Sequence, residues 1–350
     1  MKCLVTGAAG FLGTALCRRL TDDGHELVVL VRCQDSLPDG FPSARVVIGD
    51  VLTAESVDSA VSGVDVVFHL AAIIAYEPAM RDPMFKVNVE GSLIVARACL
   101  KQGCRMVHVS SMAALGFNWN ASDPPRNEND SYNLSKYTLS YCESKLEAER
   151  ALLALVGLDL IIVNPGNIYG PRDTLKSSRS TQVKVARGRF PFYTKGGNNI
   201  VHVDDVADGL VRAWHKGRTG QRYILGGDNI PVKTMFEMIA TLAGVPAPWI
   251  AMPIWLQTLA GRLGFVPLEK VLPANMFCYF SSEKAELELD YKHRPGSEAL
   301  KDSVLWMLEN HEHFKNPTKG SRSQIKSGFL VILLSALLFG VLAARQISAR

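Results

Sequence analysis

Leu4-Val5-Thr6-Gly7-Ala8-Ala9-Gly10-Phe11-Leu12-Gly13 decides how the rest of the chain reads. An apolar strand breaks into a turn with glycine at every third position, and Leu12, Ala15, Leu16 and Leu20 then fall on one face of a helix. Glycines at that spacing let the backbone turn tightly, approach a pyrophosphate and pack the helix on the strand, and the helix N-terminus favours the phosphate charge. The stretch therefore predicts a bound dinucleotide and a parallel sheet built around it.

The chain has 350 residues, enough for a large first domain and a smaller second lobe. Its net charge of +4 is small and its basic residues are scattered until the last thirty positions, which argues against a nucleic-acid partner. Seven cysteines, an odd number without close pairs, fit neither a disulfide framework nor a zinc site and point to a reducing compartment. No metal is expected. With the first strand beginning almost at Met1, the N-terminal lobe is expected to stay in the cytosol.

Downstream of the glycine turn, His25 to Arg32 reads as a strand ending over the adenosine ribose. An acid at that end would bond a 2′-hydroxyl, whereas Arg32 can accept a 2′-phosphate, so NADP(H) is favoured over NAD(H), although Asp35 is near enough to serve the ribose instead. Arg45 to Val51 is a strand with an acid at its carboxyl end, placing Asp50 beside the adenine, and Thr53 caps a helix running to Ser62. Asp65 to Leu70 runs into Ala71 and Ala72, small residues where the dinucleotide crosses the sheet edge. His69 follows three apolar residues and reads as a core histidine rather than a base.

A helix from about Pro83 to Gln102 carries Asn88, the next strand delivers Ser110 and Ser111, and residues 116 to 135 form a long loop. Tyr141 and Lys145 lie four apart on the following strong helix, whereas a second pair of that spacing, Tyr132 and Lys136, sits in loop-like sequence. A strand from Leu158 to Val163 ends in the turn-rich segment Asn164 to Pro171, which contains Pro165 and Ile168. A basic helical stretch around Val183 to Arg189, a helix capped by Asp204 or Asp205 and a strand from Gln221 to Leu225 follow. Arg187 and Arg189 are candidates for clamping a diphosphate, though solvated loop residues are the commoner case. Trp249 to Leu268 is apolar but interrupted by Pro253, Gly261, Arg262 and Gly264, as in a lobe helix or lid rather than a membrane span. Residues 328 to 344 carry no charge and reach roughly 25 Å as a helix, long enough for a C-terminal transmembrane anchor. Basic residues preceding them place the catalytic part on the cytoplasmic side.

Beside a nicotinamide, Ser111, Tyr141 and Lys145 form a mechanism. The phenol exchanges a proton with a substrate oxygen, the ammonium draws the phenol towards working pH and bonds the ribose, and the serine steadies the developing charge. In these residues, and in Gly49-Asp50-Val51, His69 to Ala72, Val87 to Gly91, Val109 to Ser111, Pro165 to Pro171 and Val201 to Ala207, the chain resembles the extended short-chain dehydrogenase/reductases over residues 1 to about 245. It looks most like the branch of dihydroflavonol 4-reductases, 3β-hydroxysteroid dehydrogenases and hopanoid-associated sugar epimerase-like proteins.

The resemblance implies catalysis by Ser111, Tyr141 and Lys145, with Asn88 supporting the helix. It implies cofactor contacts at Gly7, Gly10, Phe11, Leu12, Gly13, Asp50, Ala71, Lys145 and Pro165, to which Arg32, Val51, Ala72, Tyr141 and Ile168 are added as candidates. Arg32 matches the basic residue of the NADP-preferring reductases, but Cys33 replaces the acid often found next to it. Members often pair through two long helices, here near 83–102 and 140–156, so a homodimer is expected. The terminal anchor resembles that of sterol-processing members.

The expected architecture is thus α/β, a Rossmann-type doubly wound parallel sheet over residues 1–170. A smaller substrate lobe over 171–314, a linker over 315–327 and a membrane anchor over 328–344 complete it. The favoured activity is an NAD(P)-dependent oxidoreductase acting on a secondary alcohol or ketone of a lipophilic, sterol- or isoprenoid-like substrate. A nucleotide-sugar epimerase or dehydratase is the alternative, and a non-catalytic dinucleotide sensor a third.

Overall fold

The computed structural model describes residues 1–310 except 174–176, 189 and 265. In chain order its regular elements are β1 (Lys2–Thr6), α1 (Phe11–Asp22), β2 (Glu26–Val31), β3 (Arg45–Ile48), α2 (Ala54–Val61), β4 (Val66–His69) and α3 (Arg81–Phe85). A π-helical turn over Lys86–Gly91 carries α3 into α4 (Ser92–Gln102), and β5 (Arg105–Val109), α5 (Ser140–Leu153), β6 (Leu160–Pro165), β7 (Asn167–Tyr169) and α6 (Ser177–Ala186) follow. Then come β8 (Phe192–Tyr193), β9 (Gly197–His202), α7 (Val203–Lys216), β10 (Arg222–Leu225), β11 (Asp228–Pro231), α8 (Val232–Leu242), β12 (Ile250–Ala251), α9 (Ile254–Arg262), α10 (Glu283–Leu289) and α11 (Gly296–Asn310).

Seven strands form one parallel sheet in the order β10-β6-β5-β4-β1-β2-β3. Alternate residues along each strand face opposite layers. Val5, Val29, Phe68, Val107 and Val163 pack under α1 and α7, while Leu4, Val28, Val67, Met106 and Ile162 pack under α2, α4 and α5. Burial on both faces explains why these strands read as continuous apolar runs. The strand order reverses between β1 and β4, so the crevice at their carboxyl ends is where this class of sheet takes ligands.

The later chain contributes β10 to that sheet and builds a second core from α6, α8, α11 and the three-stranded sheet β11-β9-β7. Several sequence expectations shift here. The helix expected from Pro83 begins at Arg81 and contains the π turn, and the basic helix expected near Val183 begins at Ser177. Asp204 and Asp205 lie in the first turn of α7 and do not cap it: the imidazole of His202 accepts the Asp204 N–H at 3.1 Å. Thr53 holds the position before α2 without a side-chain bond to it. Among the described residues no helix is long and apolar enough to cross a membrane. The linker and the segment 328–344 lie outside the described residues.

Candidate active site

The glycine turn is shaped by contacts that a side chain would block. Gly7 has φ +71°, and a Cβ there would lie 2.8 Å from the Ala71 nitrogen, so β1 and the end of β4 approach as closely as backbone allows. At Gly13 a Cβ would lie 2.2 Å from the Gly7 carbonyl, which seats the first turn of α1 on the loop. Gly10 precedes α1 in extended conformation, and no side chain caps the helix. The amides of Phe11, Leu12 and Gly13 open a helix whose positive end faces the crevice, the donor set that a pyrophosphate requires. These residues fit a dinucleotide.

Around that turn the other candidates fall along the sheet edge. Thr6 Oγ1 accepts the Ala71 N–H at 3.2 Å, and Ala72 follows, half-buried. Asp50 follows β3, where one carboxylate oxygen accepts the Leu52 N–H at 2.9 Å, and Val51 is buried beside Gly91. Arg32 is exposed beyond the end of β2. Pro165 ends β6 in register with Leu225 of β10. Ile168 packs, with Phe11 and Leu70, against the core on the α1 side.

Ser111, Tyr141 and Lys145 come together where β5 ends and α5 begins. Ser111 leaves β5 extended and its hydroxyl accepts the Ala113 N–H at 3.2 Å, opening a short 3-10 turn over Met112–Leu115. Burial pushes the Tyr141 phenol up to about 12, and the Ser111 hydroxyl opposes that by hydrogen bonding. This corrects the expectation that Lys145 lowers the phenol. The lysine points into the sheet, where Nζ donates to the Val109 carbonyl at 3.0 Å, and its own pKa is lowered by burial to about 8 against the opposing charge of Glu149. Its chemistry in the ligand-free protein is that of a desolvated ammonium.

A polar layer lies beneath the trio, on the α4 and α5 side of the sheet. His69 bonds Thr6 Oγ1 at 2.8 Å and Ser92 Oγ at 3.0 Å, and burial with the neighbouring lysine charge holds it down to about 3. It is a neutral, satisfied core histidine. Its stacked neighbour His108 is buried with no hydrogen-bond partner on either ring nitrogen among the described residues. Asn88 donates to Ser144 Oγ and to the Ile73 carbonyl, both at 3.0 Å, and accepts the Ile73 N–H at 2.8 Å, tying the loop after β4 to α5.

The sequence reading missed Glu149, Asn164 and Arg222. Asn164 Nδ2 donates to the Ser111 carbonyl at 2.8 Å and to Glu149 Oε1 at 2.7 Å, and Arg222 of β10 pairs with Glu149 Oε2 at 2.6 Å. Glu149 lies one helical turn beyond Lys145, a spacing that could have flagged it, whereas nothing local marks Arg222.

The far wall of the crevice comes from distant segments. Tyr76 lies 6.2 Å from Tyr141 between ring centres, and Lys270 sits 4.4 Å over the Tyr76 ring. Glu269 accepts the Ser140 N–H and hydroxyl, both at 2.8 Å, and so caps α5 from 129 residues away. Tyr141 also borders an apolar cluster of Met112, Leu115, Phe117, Leu139, Met276 and Phe280. The competing pair separates: Tyr132 packs against the same cluster from irregular chain, while Lys136 is exposed in a turn. Arg187 lies just beyond α6, and Arg189 falls outside the described residues.

The model of the NAD dependent epimerase/dehydratase family matches residues 3–226. A putative dihydroflavonol 4-reductase from Synechocystis is 32% identical over 335 residues, 89% of this chain and 95% of that protein. Sterol demethylase protein B of Methylococcus capsulatus is 31% identical over 72% of this chain and 78% of its own. The crystal structure of gox2253 superposes with a TM-score of 0.77 at 34% identity, covering 88% of this chain and 98% of that one. With a glycine-turn crevice on a parallel sheet, the chain belongs to the NAD dependent epimerase/dehydratase family and is an oxidoreductase of the extended short-chain dehydrogenase/reductase type.

Proposed function

We propose that this protein interconverts a secondary alcohol and a ketone on a lipophilic substrate of sterol or isoprenoid size, using an NAD(P) cofactor. The observation that carries the substrate class is the setting of Tyr141, which borders an apolar cluster with Tyr76 close by. The similarity to sterol demethylase protein B points the same way. Residues 1–170 act as the cofactor half and 171–314 mainly as the substrate lobe. Residues 328–344 tether the enzyme to a membrane through the linker 315–327, with the catalytic part on the cytoplasmic side, and the helices at 81–102 and 140–153 offer a homodimer contact.

The Gly7, Gly10 and Gly13 turn with Phe11 and Leu12 would hold the pyrophosphate, Asp50 and Val51 the adenine, and Ala71, Ala72, Pro165 and Ile168 the path to the nicotinamide. Arg32 would take a 2′-phosphate, which favours NADP(H). When bound, the nicotinamide supplies or accepts the hydride. In the reductive direction the Tyr141 phenol gives its proton to the substrate oxygen, a direction suited to a phenol held protonated by burial. Ser111 donates a hydrogen bond to the same oxygen and limits the charge that builds on it. Lys145, still charged at neutral pH, would offset the negative charge left on the phenolate once its proton has gone to the substrate oxygen.

Tyr141→Phe tests the assignment. Turnover of a lipid ketone should fall by about 100- to 10,000-fold while nucleotide affinity holds; unchanged turnover would remove the tyrosine from the mechanism. Denaturing the purified enzyme and identifying released nucleotide separates the second reading, because near-stoichiometric bound NAD marks an epimerase or dehydratase cycle.

A further inference from the structure

The helix α9 and its flanks are built inside out. Gln257 is the buried side chain of this helix, 6% exposed, and it is satisfied by the Met252 carbonyl at 2.7 Å and by Asn275 at 2.9 and 3.1 Å. Trp255, Leu259 and Leu263 follow one another at four-residue spacing on the opposite side, and Trp255 and Leu263 are 61% and 64% exposed. Ile254, Val266, Leu268 and Trp249, the last 72% exposed, are further exposed apolar residues of the same stretch. Single exposed apolar residues are ordinary, but so many within twenty positions, against a helix that turns its glutamine inward, mark a face made for apolar surroundings.

The helix itself, through its inner side, adjoins the wall of the crevice. A Cβ on Gly261 would lie 2.8 Å from Leu268 Cδ1, so α9 sits on the turn Leu268–Lys270. The next two residues of that turn are Glu269, which caps the helix bearing Tyr141, and Lys270, which lies over Tyr76. Indoles favour a water–hydrocarbon boundary, and Arg262, two helical turns after Trp255, supplies an exposed positive charge on the same helix. After seventeen further residues past Asn310, the sequence becomes apolar and charge-free at 328–344.

We infer that α9 and its flanks, from Trp249 to Leu268, lie in the surface layer of a lipid bilayer and bring the mouth of the crevice to the membrane, so that an apolar substrate enters without crossing water. This deepens the proposed lipophilic-substrate reading and rests on it for the substrate, while the membrane contact is measured without any substrate.

The test uses the full chain with phosphatidylcholine–phosphatidylglycerol vesicles carrying brominated acyl chains, which quench indoles that enter the surface layer. Residues 311 to 350 contain no tryptophan, so the signal comes from the catalytic part. The wild type should be quenched, and W249F/W255F should lose most of that quenching. Quenching that is absent or survives the double substitution overturns the inference, whether residues 328–344 bind the vesicle alone or cover α9 themselves. L259E/L263E should raise KM at least tenfold for a ketone held in vesicles and leave turnover of a water-soluble ketone within twofold. If that variant instead turns a dimer into a monomer and the wild type is not quenched, the face is a contact between copies. Quenching without turnover of any vesicle-held ketone removes the substrate reading and leaves the membrane contact standing.

Discussion

Replacing Lys145 by methionine should make the protein more stable at neutral pH and inactive. The substitution exchanges a buried ammonium for an apolar chain of similar length. Lys145 is 4% exposed and burial brings its pKa to about 8 from 10.5, so the charged form costs about 3 kcal/mol more in the fold than in the unfolded chain. The bond from Nζ to the Val109 carbonyl returns about 1.5–3 kcal/mol of favourable interaction, which methionine gives up. The net gain at pH 7 is therefore about 1 kcal/mol. The pH dependence is the sharper quantity. Between pH 8 and 10.5 the folded lysine binds fewer protons than the unfolded one, so the wild type gains stability as pH rises and the variant has no such term. Cys3, Cys17 and Cys142, each pushed up to about 12 by burial, lose stability over much of that range in both proteins. The difference between the two proteins isolates the lysine. Urea unfolding without nucleotide at pH 7 and above pH 10 should show the advantage of the variant falling by about 3 kcal/mol and changing sign. A difference that stays constant with pH would refute the desolvated lysine.

Gly13→Ala should cost at least about tenfold in nucleotide affinity by titration, because its Cβ would sit on the Gly7 carbonyl, whereas Gly24→Ala, left-handed but in open space, should cost about 1–2 kcal/mol of stability and leave affinity unchanged. Glu149→Ala strands Arg222 and half of the Asn164 amide, and should lower stability by about 3–5 kcal/mol in urea unfolding; a loss below about 1 kcal/mol would show that Arg222 reaches solvent on its own. Arg32→Glu should lower the ratio of NADPH to NADH affinity at least about tenfold if the guanidinium holds a 2′-phosphate, and an unchanged ratio would return that role to Asp35 or to neither.

The parts of this fold that sequence reveals are those whose reason is local. A glycine every third residue is visible because each glycine answers a contact within one strand-turn-helix unit, and Tyr141 and Lys145 because one helix sets their spacing. Arg222 could not be found this way: its partner Glu149 lies on a helix far earlier in the chain, and only the addition of β10 beside β6 brings them together. Glu269 was equally hidden, since its partner is the start of α5. The direction of the Lys145 side chain is not legible in the sequence for a related reason. Spacing along α5 fixes the shared face with Tyr141, but the carbonyl of β5 decides where the ammonium points.

The π-helical turn at Lys86–Gly91 has a consequence for chain length. An α-helix turns by about 100° per residue, and a π turn absorbs one residue more than an α turn. Deleting a single residue there would leave an unbroken helix yet rotate everything before it by about a quarter of a revolution. Ser92 could then still meet His69, but Arg81 would swing away from Glu143 and Ser140, which it now bonds at 2.8 and 3.2 Å. The surplus residue keeps two ends of one helix in phase with two different neighbours, so this stretch should tolerate substitution at its exposed positions far better than any change in its count.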